Sequence, residues 1–142
     1  QLGIAVASRT YKAYRALLDT DRWLRLENAG ARPQRVLWAS TGTKNPEASD
    51  VLYIKALAAP HTVNTMPEQT LLAFAEHGEV GDMLAADGGN AEELLARFAK
   101  AGVDYDALAA KLQREGAEAF DASWNDLMGC IASKSELLTR VG

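Results

Sequence analysis

Apolar residues recur at helical spacing through the first part of the chain. Between residues 3 and 28 they fall on or near one face, with charged side chains between them, and the segment 19–21 interrupts the pattern. We therefore predict a long helix followed by a short one that is capped by Asp21. Gly30 and Pro33 then end the helical segment, because Gly is favoured after a helix C-terminus and Pro cannot continue a helix.

Two short runs that favour β-structure alternate with helical segments in the next part of the chain. Residues 36–40 are apolar until the last position, and residues 62–65 are rich in β-branched side chains. Apolar residues at helical spacing follow each run, over residues 51–58 and 71–75. Strands separated by helices predict a parallel sheet in an α/β fold.

The starts of the two helices after these runs carry cap signals. Asn45 and Asp50 are alternative caps for the first of them, since both side chains can accept hydrogen bonds from free N–H groups. Thr65 and Glu68 have the spacing of a capping box before the second, with Pro67 inside the first turn.

The remainder of the chain lacks the strand signal. Residues 79–90 are acidic and rich in Gly, and the residues after them favour helix, with a last helix that includes residues 120–131. We expect the three tryptophans and Cys130 to be buried packing residues, because large aromatic rings and free thiols usually lie in protein interiors.

Two strands are too few for a stable parallel sheet, because such a sheet is covered on both faces and leaves unpaired backbone groups at its edges. We therefore expect residues 1–142 to be a portion of a single domain whose first part is missing. Within it, residues 1–78 would form helix–strand–helix–strand–helix and residues 79–142 a helical extension. The N-terminal sequence, which has neither Met nor a signal-peptide pattern, fits a start within a longer protein.

Composition narrows the classes of function. The apolar fraction of 48% and charged fraction of 24% are typical of a globular domain, and a formal net charge of -4 argues against a nucleic-acid partner. No apolar run approaches the roughly 18 residues of a membrane helix. The single cysteine rules out an intrachain disulfide and fits a reducing, cytoplasmic location. His61 and His77 are isolated, so we predict no metal site.

Candidate chemistry is concentrated where the first predicted strand ends. Hydroxyl groups, a flexible Gly and one cation follow the buried run, and this combination suits the oxygens of a phosphate or a sugar. Asn64 ends the second strand and is a further candidate. Each residue also has a plainer interpretation as a turn former, a cap or a solvated loop side chain. The candidates are Ser40, Thr41, Gly42, Thr43, Lys44, Asn45 and Asn64.

Three segments of the chain resemble transaldolase, in the form found in many bacteria and in fusions with glucose-6-phosphate isomerase. They are WASTGTKNP at 38–46, TVNTMPE at 62–68, and FDASW at 120–124 with GVDY at 102–105 before it. The resemblance implies an α/β fold, the C-terminal part of a (β/α)₈ TIM barrel that contains the last two strands with their helices and a C-terminal helical extension.

The resemblance also implies an activity. Transaldolases of the pentose phosphate pathway transfer a dihydroxyacetone unit from a ketose phosphate, such as fructose 6-phosphate or sedoheptulose 7-phosphate, to an aldose phosphate. They use a Schiff base on a Lys and no cofactor or metal. That Lys and the acid/base carboxylates lie on earlier strands, so this chain would hold no catalytic residue and would need the N-terminal barrel half. Ser40 matches the phosphate-binding Ser, and Lys44 lies where many transaldolases have an Arg.

Three alternatives stay open at this point. Lys44 could itself be the Schiff-base amine, although such an amine is usually desolvated on a strand rather than placed in a polar loop. The chain could be a non-enzymatic helical interaction module from a truncated barrel, or a fragment of a simple aldolase barrel.

Overall fold

A computed structural model describes the backbone of residues 1–141 and the side chains of residues 1–139. The described residues form six helices and two strands, which alternate in the order expected for an α/β protein until the last two helices. No helix in the described part of the chain is long and apolar enough to cross a membrane. The elements are α1 (Leu2–Leu18), α2 (Asp21–Asn28), β1 (Val36–Trp38), α3 (Leu52–Ala56), β2 (Thr62–Asn64), α4 (Glu68–His77), α5 (Ala91–Lys100) and α6 (Tyr105–Val141).

The break between α1 and α2 is confirmed, but its cap is Thr20. The Thr20 side chain accepts a hydrogen bond of 3.2 Å from the Trp23 backbone N–H. The prediction that Asp21 caps this helix was wrong, because Asp21 is already the first helical residue. An acidic side chain in the first turn is still favourable there, since the N-terminus of a helix carries partial positive charge.

The parallel pairing of the two strands is confirmed. Val36 pairs with Thr62 and Trp38 with Asn64, in a two-stranded sheet. Both strands are shorter than the runs that predicted them. Leu37 lies in the middle of β1 and was expected to be buried, yet it is 55% exposed.

Trp38 anchors the sheet to α1 and to the segment after α3. It is buried, as expected, in a cluster with Tyr11 and Leu57. The Trp38 indole Nε1–H donates to the Leu57 carbonyl oxygen at 3.0 Å, and the Tyr11 hydroxyl donates to the Pro60 carbonyl oxygen at 3.2 Å. Both aromatic side chains therefore contribute apolar packing and satisfy their polar atoms, as buried Tyr and Trp usually do.

The predicted caps of α3 and α4 were wrong. The helix α3 begins after Val51 without a side-chain cap, and Asn45 instead accepts a bond of 3.0 Å from the Glu47 backbone N–H in the preceding loop. The Asp50 carboxylate contacts His77 rather than the start of α3. No capping box forms at α4, because the Thr65 hydroxyl is engaged with the end of β1.

The chain divides into two compact units, Gln1–Phe98 and Ala99–Gly142. In the first, the start of α5 packs against α1, where Ala5, Ala91 and Leu95 form a small buried cluster. We had expected the helical extension to begin at residue 79. Contacts of α5 with α1 instead place its first turns in the same unit as the sheet.

The second unit contains α6, which is one continuous helix of 37 residues. The last helix that the sequence predicts, which includes residues 120–131, lies within α6. The predicted burial of Trp124 and Cys130 was wrong: Trp124 is 63% exposed and Cys130 is also exposed. Trp23 is partly buried. Helical spacing predicted a helix over residues 120–131, but spacing cannot show whether another element covers their apolar side chains.

Candidate functional site

Hydrogen bonds continue beyond the last paired residues of the two strands. The Thr65 backbone N–H donates to the Trp38 carbonyl oxygen at 2.9 Å, and the Thr41 N–H donates to the Thr65 carbonyl oxygen at 3.0 Å. The Thr65 hydroxyl donates to the Trp38 carbonyl oxygen and accepts from the Ser40 N–H, both at 3.1 Å. These bonds fix the loop after β1 against the start of the loop after β2.

Ser40 has a backbone conformation that is unusual for a residue with a side chain. Its φ of 52° lies in the left-handed region, which costs a residue other than Gly about 1 kcal/mol. The bond from its N–H to the Thr65 hydroxyl helps to hold this conformation. The turn directs the chain away from the sheet immediately after β1, with the Ser40 side chain exposed at the sheet edge.

A cleft of about 320 Å³ opens beside this turn, at the edge where the carboxyl ends of both strands meet. Four of the predicted site residues line it, together with four residues that the sequence did not identify as site residues. The cleft is large enough for a phosphate group and part of a sugar. Its lining residues are Ser40, Gly42, Thr43, Lys44, Asp50, Pro67, Gln69 and Thr70.

Gly42 permits the close packing that forms one wall of the cleft. A Cβ atom at this position would lie 2.9 Å from Pro67 Cγ and 3.2 Å from Pro67 Cδ, which is closer than carbon atoms normally approach. The loop between Ser40 and Lys44 can therefore contact the start of α4 only because residue 42 lacks a side chain.

The start of α4 supplies the opposite wall. Pro67 precedes the first helical residue and provides no side-chain cap, and Thr70 in the first turn is buried. The first N–H groups of a helix have no partner within the helix, and they carry partial positive charge. The cleft is therefore lined by two sources of positive potential, the Lys44 ammonium and the uncapped start of a ten-residue helix.

One carboxylate also lines the cleft. Asp50 Oδ1 lies 3.0 Å from His77 Nε2, in the last turn of α4. The hydrogen bond with His77 lowers the pKa of the Asp50 carboxyl, so Asp50 is ionised in neutral solution. Sequence patterns alone did not identify this pair, because Asp50 was interpreted as a possible helix cap and His77 as an isolated histidine.

The other predicted site residues lie outside the cleft and have local structural contacts. Thr41 is 6% exposed, and its hydroxyl oxygen lies 2.5 Å from Asn64 Oδ1 and 2.9 Å from the Thr65 carbonyl oxygen. Asn64 Nδ2 is buried without a hydrogen-bond partner among the described residues. Asn45 bonds to the backbone of its own loop.

The groups that line the cleft are suited to holding an anion. Lys44 is exposed in a polar loop, whereas lysines that form Schiff bases usually lie in hydrophobic pockets. Within the described part of the chain, no three His, Cys, Asp or Glu side chains come together in a way that could hold a metal ion. A hydroxyl, an ammonium group and a helix start together match the oxygens of a phosphate.

Comparisons with known proteins agree with the motifs in the sequence. The model of the family described as Transaldolase/Fructose-6-phosphate aldolase matches residues 1–131. Transaldolase 2 of Streptomyces avermitilis is 49% identical over 127 residues, which are 89% of this chain and 34% of that relative. Transaldolase of Mycobacterium tuberculosis is 47% identical over 130 residues, 90% of this chain and 35% of the relative. This chain thus spans about a third of the length of the relatives it matches.

Proposed function

Because this chain belongs to the transaldolase/fructose-6-phosphate aldolase family, we propose that it supplies the phosphate-binding part of a transaldolase active site. The substrates would be ketose and aldose phosphates, of the class of fructose 6-phosphate and sedoheptulose 7-phosphate. The dihydroxyacetone unit would pass between them through a Schiff base on a Lys that another part of the complete barrel provides.

The proposed architecture is the last two strands of a (β/α)₈ barrel with their helices. The parallel pairing of β1 with β2 and the helices between and after them support it. The exposed middle of β1 at Leu37 supports it as well, since the neighbouring elements of a complete barrel would cover that face. In such barrels the active site lies at the carboxyl ends of the strands, and phosphate groups often bind in the loops after strands seven and eight.

The observation that carries the proposal is the position of Ser40 and Lys44 in one cleft with the start of α4. The Lys44 ammonium would neutralise part of the phosphate charge, and the Ser40 hydroxyl and helix N–H groups would donate hydrogen bonds to its oxygens. Holding the phosphate at this edge fixes the distance from it to the reacting carbonyl. Binding energy from a remote group can in this way be used to orient the reacting atoms.

A chimaera tests the proposal. The full chain replaces the matching third of the Streptomyces avermitilis transaldolase 2, and transfer from fructose 6-phosphate to an aldose phosphate is measured. We expect the chimaera to be active. Lys44→Ala should raise KM for fructose 6-phosphate by about tenfold, the lower range for loss of a charged hydrogen bond, and leave KM for unphosphorylated fructose unchanged. Lys100→Ala, which removes an exposed cation on α5, is the matched control.

Two results would contradict the proposal. An inactive but folded chimaera would show that this chain cannot complete a transaldolase site. Equal effects of Lys44→Ala and Lys100→Ala would show that Lys44 does not contact the phosphate. Borohydride reduction with fructose 6-phosphate should label no Lys of this chain, and a label on Lys44 would instead make it the reactive amine.

A further inference from the structure

We propose that His77 is a positioning residue for the phosphate site, which acts by engaging the Asp50 carboxylate so that the cleft stays attractive to an anion. The inference rests on the proposed function, because it takes the cleft to be the place where phosphate binds. It assigns a role to two residues that neither the motifs nor the anion-binding loop explains.

The geometry allows His77 to act only through Asp50. Asp50 precedes α3 and lines the cleft, whereas His77 lies in the last turn of α4 and does not line it. The contact from His77 Nε2 to Asp50 Oδ1 is 3.0 Å, and both side chains are about half exposed, at 50% and 57%. His77 therefore approaches the carboxylate from outside the cleft.

The charge balance of the cleft explains why this contact matters. Among the described residues that line it, Lys44 carries the one positive charge and Asp50 the one negative charge. A carboxylate without a partner would offset the Lys44 charge and repel a phosphate. A hydrogen bond from the His77 imidazole engages one oxygen of the Asp50 carboxylate and weakens its repulsion of a phosphate. A protonated imidazole would make the pair neutral.

A purely structural role for the pair is the competing explanation, since the contact joins the start of α3 to the end of α4. The two roles predict different outcomes when the charge is removed. If the carboxylate charge is what must be controlled, His77 is needed only while Asp50 is charged. If the contact merely holds the helices in place, loss of either partner is harmful, so Asp50→Asn alone should raise KM for fructose 6-phosphate as His77→Ala does. If the charge must be controlled, Asp50→Asn alone should not raise it.

The test is a double-mutant cycle in the chimaera that carries the full chain. His77→Ala should raise KM for fructose 6-phosphate by about threefold and weaken inhibition by inorganic phosphate by the same factor, a size that fits a single exposed charge a few ångströms from the ligand. KM for unphosphorylated fructose and kcat should not change. Glu76→Ala is the control, because Glu76 is exposed and next to His77. It should change neither KM for fructose 6-phosphate nor inhibition by inorganic phosphate.

The second arm repeats His77→Ala in an Asp50→Asn background. We expect the double variant to match Asp50→Asn alone, because no carboxylate then remains to repel the phosphate. A threefold rise in KM for fructose 6-phosphate that persists in this background, no rise in His77→Ala alone, or a rise in Asp50→Asn alone would overturn the inference. Thermal unfolding of each variant identifies any loss of folded protein.

Failure of this inference can be distinguished from failure of the proposed function. If Lys44→Ala leaves KM for fructose 6-phosphate unchanged, the cleft is not the phosphate site and both proposals fail. If Lys44→Ala raises KM but the cycle shows no dependence on Asp50, the phosphate site stands and only the role of His77 is refuted.

Discussion

Replacing Gly42 by alanine tests whether close contact between the loop after β1 and the start of α4 forms the cleft. The new methyl group would lie 2.9 Å from Pro67 Cγ and 3.2 Å from Pro67 Cδ, with the Thr70 hydroxyl oxygen at 3.5 Å. Carbon atoms in contact prefer a separation of about 3.5–4.0 Å. The proline ring is stiff, so the loop and α4 must separate by several tenths of an ångström.

The magnitude follows from this overlap. Forcing one additional methyl group into a packed contact typically costs about 1–3 kcal/mol. We expect Gly42→Ala to lower the free energy of unfolding by an amount in that range. Because the same displacement moves Lys44 away from the start of α4, it should also raise KM for fructose 6-phosphate in the chimaera.

Urea denaturation and steady-state kinetics measure the two effects. Gly116→Ala is an informative control, because a Cβ atom at Gly116 meets nothing within 4 Å. Gly116 lies inside α6, where alanine is favoured over glycine by about 0.5–1 kcal/mol, so this change should stabilise the helix. If Gly42→Ala is as stable as the parent and binds substrate equally well, the close contact does not shape the cleft.

Two further predictions concern the buried anchor and the ion pair. Trp38→Phe removes the donor to the Leu57 carbonyl oxygen, and we expect it to lower the free energy of unfolding by about 1–3 kcal/mol, measured by urea denaturation. For Asp50, folding lowers the pKa, so its contribution to stability is present above the ordinary Asp pKa and is lost as the pH falls through the folded value. The difference in thermal midpoint between the parent and Asp50→Asn should therefore be larger at pH 7 than at pH 3, and an equal difference at both pH values would contradict this assignment.

The alternation of short β-favouring runs with helical segments was enough to predict the parallel sheet. Strand direction follows from the helix between the two runs, and the observed register of Val36 with Thr62 agrees with it. The loop from Ser40 to Lys44 was predictable for a similar reason, because its residues are adjacent in the sequence and end a strand. Local composition was enough to make this loop a candidate site.

The rest of the cleft depends on contacts between residues that are far apart in the sequence. Pro67 and Thr70 reach it because the sheet places the loop after β2 beside the loop after β1, and His77 reaches Asp50 across that same junction. The prediction that Thr65 caps α4 was wrong because the Thr65 hydroxyl donates to the Trp38 carbonyl oxygen at the end of β1. That contact becomes apparent only from the pairing of the two strands. Local pattern cannot decide between two partners for one hydroxyl group.

The left-handed backbone at Ser40 and its proposed phosphate contact favour different residues at this position. Glycine would adopt the same φ without steric cost, and asparagine with little. A library that samples every amino acid at position 40 should therefore enrich Gly and Asn when it is selected for thermostability alone, and Ser when it is selected for turnover of phosphorylated sugars. Engineering that seeks a more heat-resistant variant with full activity should therefore keep Ser at this position.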